Sequence, residues 1–284
     1  MAEHPTRFTE LVGCRWPVQL AAMGGGVGGT DLAAAVQAAG GLGMVSWGEA
    51  VPDPRCGINF LVPFVRSPAD VADGAGGAGV VEFFYGPPDG ALVTAGHAVA
   101  PVVGWQVGSV DEARAAAAAG CDYVVVQGTE AGGHVRGNGA LDAVLADVLG
   151  HVDVPIVAAG GIATAERVAA LVERGADAVR VGTRFLACPE AHAHDEYVAG
   201  LLAASGEDTV LTEWFDDGWA GAPHRVLRAS VDAAQDSGWR SPLPPTPGVD
   251  RPVRDMAQYA GTGVGAVTAV EPAAAVLADL VRLL

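Results

Sequence analysis

Residues 154–168, VPIVAAGGIATAERV, and residues 177–185, DAVRVGTRF, decide how this chain is built. Each starts as a short apolar run that stops at a glycine. In the first, Thr164-Ala-Glu166 then supplies a cap ahead of an amphipathic stretch. Apolar runs without alternation are what strands covered on both faces look like. Strand, glycine turn, helix and strand in that order make the βαβ unit of a parallel sheet.

Outward from this unit the pattern repeats along most of the 284 residues. Strands are predicted at 18–22, 42–46, 57–62, 79–84, 99–106, 122–127, 154–158 and 177–181. Helices are predicted at 31–39, 68–76, 87–96, 109–119, 140–149, 163–174 and 189–203, with the link from 46 to 57 the least helical. Ser109-Val-Asp-Glu112 has capping-box spacing at one of the helix starts. Eight strands alternating with helices predict an α/β fold closed as a (β/α)8 TIM barrel, with an open doubly wound sheet as the alternative. No linker divides residues 1–205, which read as one barrel domain. Residues 206–265 are richer in aromatics, charge and proline (EWFDDGW, SGWRSPLPPTPGVDRP), a loop-rich insertion that is either a wall over the barrel mouth or a subunit contact. Residues 271–283 read as a closing helix with Pro272 in its first turn. Residues 206–284 are therefore expected to pack on the barrel.

Composition removes several functions. The charge is 16 − 33 = −17, which disfavours nucleic acid and anionic membrane surfaces as partners. All 16 basic residues are arginine, so Schiff-base lysine chemistry and a Walker A loop are absent. The four cysteines lie far apart without zinc spacing, and with no signal-like N-terminus they read as reduced thiols in a cytoplasmic protein. Glu190, His192, His194 and Glu196 look like metal ligands but divide between faces of a helix, so no metal is expected. Gly24, Gly26 and Gly29 with Glu49 fit a dinucleotide fingerprint, which the density of glycine makes easy by chance.

Two constellations carry chemistry. QGTEAGGH, residues 127–134, follows the apolar run YVVV, and the carboxyl end of a barrel strand is where such folds keep their active site. Gln127 can donate to and accept from a heterocycle, Gly132 and Gly133 let a flat ligand approach the backbone, and His134 can move a proton near neutrality. Gly160, Gly161, Gly182 and Thr183, on the loops after the seventh and eighth strands, are the backbone donors of an expected phosphate site. Arg184 adds charge there or pairs with a neighbouring acid, and His224 is a further candidate to face a ligand.

These motifs, with VQLAAMGG, GINFLVPF and YAGTGVGAV, make the chain resemble the nitronate monooxygenase (2-nitropropane dioxygenase-like) family of FMN-dependent barrels. The resemblance implies that Met23 and Asn59 line the flavin and that Gln127 and Gly132 contact it. It implies that Gly161 and the run Arg180, Val181, Gly182, Thr183 hold the phosphate side. His134 matches the histidine that acts as base or hydrogen-bond partner of the nitro group. The implied reaction oxidises a small-molecule nitronate with O2 to a carbonyl compound and nitrite. NAD(P)H-dependent reduction of an enoyl thioester or quinone on the same fold is the alternative, then a specialised biosynthetic flavoenzyme, with a non-catalytic flavin-binding protein last. A homo-oligomer is left open. The chain departs from the family pattern at Ala22, where a proline is usual, and at Val135-Arg136, which precede Gly137.

Overall fold

The computed structural model describes residues 3–284. Eight parallel strands form its central sheet: β1 (Val18–Leu20), β2 (Met44–Ser46), β3 (Gly57–Leu61), β4 (Val80–Phe84), β5 (Val102–Val107), β6 (Tyr123–Gln127), β8 (Ile156–Ala159) and β9 (Ala178–Val181). Their order, β1-β9-β8-β6-β5-β4-β3-β2, leaves β1 and β2 at the two ends. A parallel bridge between Gln19 and Leu42 joins those ends and closes the ring. The fold is the (β/α)8 barrel, and closure excludes the open sheet that a dinucleotide fingerprint requires.

Around the ring lie α2 (Gly29–Ala39), α3 (Pro68–Gly74), α4 (Gly90–His97), α5 (Val110–Ala118), α6 (Leu141–Val148), α7 (Ala165–Glu173) and α10 (Ala273–Leu280). The helix α10 closes the circle by packing on both α2 and α7. Between β2 and β3 the link runs without a helix, as its sequence predicts. Ahead of the barrel, α1 (Arg7–Val12) was not legible as part of the repeat; Thr6 and Thr9 form a reciprocal cap and Gly13 ends it in the left-handed region.

Alternation along the strands sorts the side chains. On β3, β4 and β5 the residues Phe60, Phe83 and Trp105 turn outward and continue a ring ladder with Trp47, centroids 4.9 to 5.9 Å apart. Asn59, Glu82 and Gln106, on the opposite faces of the same strands, turn into the barrel. On these three strands the barrel therefore has an aromatic outside and a polar inside.

The insertion is more ordered than its composition predicts. After α8 (Asp195–Ala203) it contains the antiparallel pair β10 (Thr209–Thr212) and β11 (His224–Leu227), and α9 (Arg228–Ser237). The two-residue strand β7 (Gly133–His134) adds to β11, so this small sheet is built partly from the loop after β6. The helix predicted from 189 starts only at Asp195. Before it, His192 N–H bonds Val27 O at 3.0 Å and His194 N–H bonds Pro245 O at 3.1 Å, so these donors serve other segments. His194 caps α8 through Nδ1, and Glu190 accepts from the Ala273 N–H at the start of α10. Among the described residues no cluster of three His, Cys, Asp or Glu is placed to hold a metal ion, and no helix is long and apolar enough to cross a membrane.

Candidate active site

A cavity of about 840 Å³ opens at the carboxyl ends of the barrel strands. Ten of the eleven site residues expected from the sequence line it; Val181 does not, being fully buried in the core. The lining falls into a floor, a cradle and a mouth.

Asn59, Gln106 and Arg180 make the floor. Arg180 donates from Nε and Nη2 to Gln19 Oε1 at 3.2 and 3.0 Å, from Nη1 to Gln106 Oε1, and from Nη2 to the carboxylate of Glu82. Glu82 has no exposed surface and also accepts from Asn59, Gln19 and Tyr123. Every buried charge here is paired, the condition under which burial of ions is tolerated. The expectation from the resemblance put Arg180 toward the phosphate; its guanidinium is instead largely committed to barrel partners.

Gly160, Gly161, Gly182 and Thr183 make the cradle, beside Met23. Among the described residues, the N–H groups of Gly161, Gly182 and Thr183 have no acceptor in the chain. Gly161 has φ +66°, and a Cβ there would come within 2.8 Å of Thr262 Oγ1, so glycine is required. The segment from Tyr259 to Gly263 crosses this region: Gly261 N–H donates to Thr183 Oγ1 at 3.0 Å and Thr262 N–H to Glu130 O at 2.9 Å. A Cβ on Gly132 would meet Gly261 N at 2.5 Å, which fixes Gly132 by close backbone approach. Free N–H groups on two neighbouring glycine turns are donors that could hold an anion such as a phosphate. Arg184 stands apart, donating to Glu271 at 2.8 Å.

His134 makes the mouth. Gln127 pins its strand, donating from Nε2 to His134 O at 2.9 Å and accepting the Arg136 N–H at Oε1, 3.0 Å. The imidazole stacks on Trp219 with centroids 4.2 Å apart and meets Tyr85, His224 and Tyr259 between 5.4 and 5.9 Å. Its ring nitrogens have no hydrogen-bond partner among the described residues. Burial, reinforced by the neighbouring His224, pushes the His134 pKa down to about 4, so the ring is neutral at physiological pH. His224 is fully buried; its Nδ1 faces Ala222 O at 2.9 Å and its Nε2 accepts the Phe215 N–H at 3.2 Å. Both nitrogens are used, so His224 orders the insertion and faces no ligand.

The insertion contributes Phe215, Asp217, Trp219, Leu243 and Tyr259 to the cavity, which makes it a wall over the barrel mouth. Sequence reasoning missed these, along with Gln106 and the buried Glu82. A charge inside the apolar run VVEFF was the available signal for Glu82, since an acid in a doubly covered strand needs a partner.

The family model for nitronate monooxygenase matches residues 55–281. A curated relative, the (3aS,4S,5R,7aS)-5-hydroxy-7a-methyl-1-oxo-octahydro-1H-indene-4-carboxyl-CoA dehydrogenase of Rhodococcus jostii, is 33% identical over 248 residues, covering 82% of this chain and 69% of that protein. The solved structure of FabK from Thermotoga maritima superposes with a TM-score of 0.81 at 26% identity, covering 98% of this chain and 96% of the other. That of nitroalkane oxidase from Streptomyces ansochromogenes gives 0.75 at 27% identity, covering 98% and 97%.

Proposed function

The chain belongs to the nitronate monooxygenase family and is an oxidoreductase, and from that premise we propose that it oxidises nitronates with FMN and O2 to a carbonyl compound and nitrite. The observation that carries this reading is the neutral, unpartnered imidazole of His134 at one end of a cavity whose other end is a cradle of free N–H groups.

The residues present fit FMN. Gly161, Gly182 and Thr183 offer backbone donors to its phosphate, Gly132 keeps the approach narrow, and Asn59, Gln106 and Arg180 offer polar groups to a flat heterocycle. Met23 and Gln127 line the space between them. When bound, the flavin supplies the two-electron acceptor that is reoxidised by O2. His134 orients the substrate. A ring whose conjugate acid has a pKa of about 4 is a poor base toward a neutral nitroalkane but keeps one N–H to donate to an anionic nitronate oxygen. The preformed nitronate is therefore the expected substrate. Trp219, Phe64 and Leu243 provide apolar surface for its carbon end.

A second reading, reduction or dehydrogenation with a nicotinamide or a thioester, is favoured by the dehydrogenase relative named for a carboxyl-CoA substrate. Charge weighs against it here. Arg180 is the sole permanent cation of the lining and is paired to Glu82, while Glu49 and Asp217 are acidic. Phosphate-rich substrates call for free arginine or lysine. Anaerobic stopped-flow of the FMN-loaded protein separates the two. Bleaching by nitronate supports the oxidation reading; bleaching by NADH or NADPH alone replaces it with the second.

A further inference from the structure

Six polar side chains from six strands meet inside the barrel: Gln19, Asn59, Glu82, Gln106, Tyr123 and Arg180. Three of them, Asn59, Gln106 and Arg180, reach the cavity; Gln19, Glu82 and Tyr123 lie beneath it. Glu82 Oε1 accepts from Asn59 Nδ2 at 2.8 Å. Glu82 Oε2 accepts from Tyr123 Oη at 2.8 Å, Gln19 Nε2 at 3.1 Å and the Arg180 guanidinium. Space for the Tyr123 ring exists only because residue 104 is glycine, where any Cβ would collide with that ring.

The two ions remove the freedom of the amides between them. A carboxylate can only accept and a guanidinium can only donate. Asn59 must turn its NH2 to Glu82, which leaves Oδ1 toward the cavity. Gln106 must turn Oε1 to Arg180, which leaves its NH2 toward the cavity. Without Glu82 the Asn59 amide could rotate by half a turn at little cost, and Arg180, which orients Gln106, would lose its counter-ion. We infer that Glu82 is a positioning residue that fixes an acceptor at Asn59 and donors at Gln106 and Arg180 on the cavity floor. That pattern matches the edge of a planar heterocycle in which an N–H stands beside carbonyl oxygens, as in the pyrimidine ring of a flavin. Glu82 also balances Arg180, so the floor presents fixed dipoles in place of an uncompensated cation. The inference rests on FMN being the ligand of the proposed function.

The test uses the full chain with Glu82→Gln and, separately, Gln106→Glu, reading FMN affinity by fluorescence titration and the flavin midpoint potential by dye-linked reduction. In Glu82→Gln the Asn59 amide is no longer held and Arg180 is unbalanced. FMN affinity should fall roughly tenfold, the worth of one or two misdirected hydrogen bonds, and the potential should move positive because a free cation favours the anionic reduced flavin. Gln106→Glu keeps a partner for Arg180 but replaces the donor by an anion, so affinity should fall and the potential should move negative. Glu82→Asp, which retains the charge, should restore part of both. Variants that melt earlier as apoprotein but keep wild-type affinity and potential would reduce Glu82 to a structural role and overturn the inference. If Glu82→Gln fails to fold, the sign of the Gln106→Glu shift decides alone. Wild-type protein that takes up no FMN would sink the proposed function and this inference together; wild-type binding with unchanged variants sinks only the inference.

Discussion

The floor and the mouth of the cavity are built on opposite rules. On the floor the polar groups are charged, deeply buried and paired by the chain itself, Glu82 to Arg180 and the amides to both. At the mouth His134 is surrounded by rings, its charge is suppressed by burial, and its nitrogens are paired with nothing among the described residues. A network whose charges are all paired is rigid and holds one orientation of its surface groups. An unsatisfied neutral imidazole leaves its hydrogen bond to an incoming molecule. Under the proposed function the contrast gives the permanent ligand to the barrel and the transient one to the wall.

The largest expected effect breaks the barrel side. Gly182 N–H belongs to the cradle, and a Cβ there would lie 3.2 Å from Ala21 Cβ and 3.7 Å from Met23 Sδ. Gly182→Asp puts a carboxylate against the phosphate, so FMN retention through gel filtration should fall at least roughly 100-fold. A protein that stays yellow would move the phosphate elsewhere.

On the mouth side, His134→Ala should leave FMN bound and lower kcat/KM for preformed nitronates by roughly 10- to 100-fold, the worth of a hydrogen bond to a charged group. A base role predicts a greater loss on neutral nitroalkanes than on nitronates; the depressed pKa predicts equal losses, and parallel assays on both substrates decide.

The same histidine gives the fold a pH dependence. Its pKa is 6.5 in the unfolded chain and about 4 in the folded one, so between those values the unfolded state holds more protons. Stability is therefore unaffected above pH 6.5 and is lost as the pH falls toward 4, by on the order of 3 kcal/mol. Thermal melts at pH 7.5 and 4.5 should separate more for wild type than for His134→Ala. Equal separation would mean that the acid sensitivity lies elsewhere.

The smallest effect sharpens the division. Trp219→Ala removes a stacked partner of His134 and part of the apolar wall, costing about 1 kcal/mol. KM for nitronates should rise a few-fold while FMN affinity stays at the wild-type value. A loss of FMN affinity would show that the wall also holds the cofactor.

How far each part could be read in advance follows from what kind of signal marks it. The eight barrel strands were legible because each is covered on both faces and so reads as a mainly apolar run, even where a single charge interrupts it, as in Val80–Phe84 and Ala178–Val181. The cradle was legible because glycine is forced where φ is positive or chain segments crowd together, as at Gly161 and Gly132. The helix start at 189 was misread because His192 and His194 give their N–H groups to residues far away in sequence, and no local pattern records that. The strands β10 and β11 were hidden for the same reason, since only the pairing of β11 with β7 and β10 makes them strands.

The sequence by itself determined the barrel, the glycine cradle and the histidine at the end of QGTEAGGH. These rest on local periodicity and on residue types that no neighbour can replace. Only the tertiary structure decided that Arg180 serves Glu82 more than a phosphate, that His224 is spent on Phe215 and Ala222, and that Trp219 covers His134 from 85 residues away. Charge pairing, tautomer and pKa depend on which groups come within a few ångströms of one another. That proximity is set when the ring closes and the insertion folds over it, and it has no period along the chain.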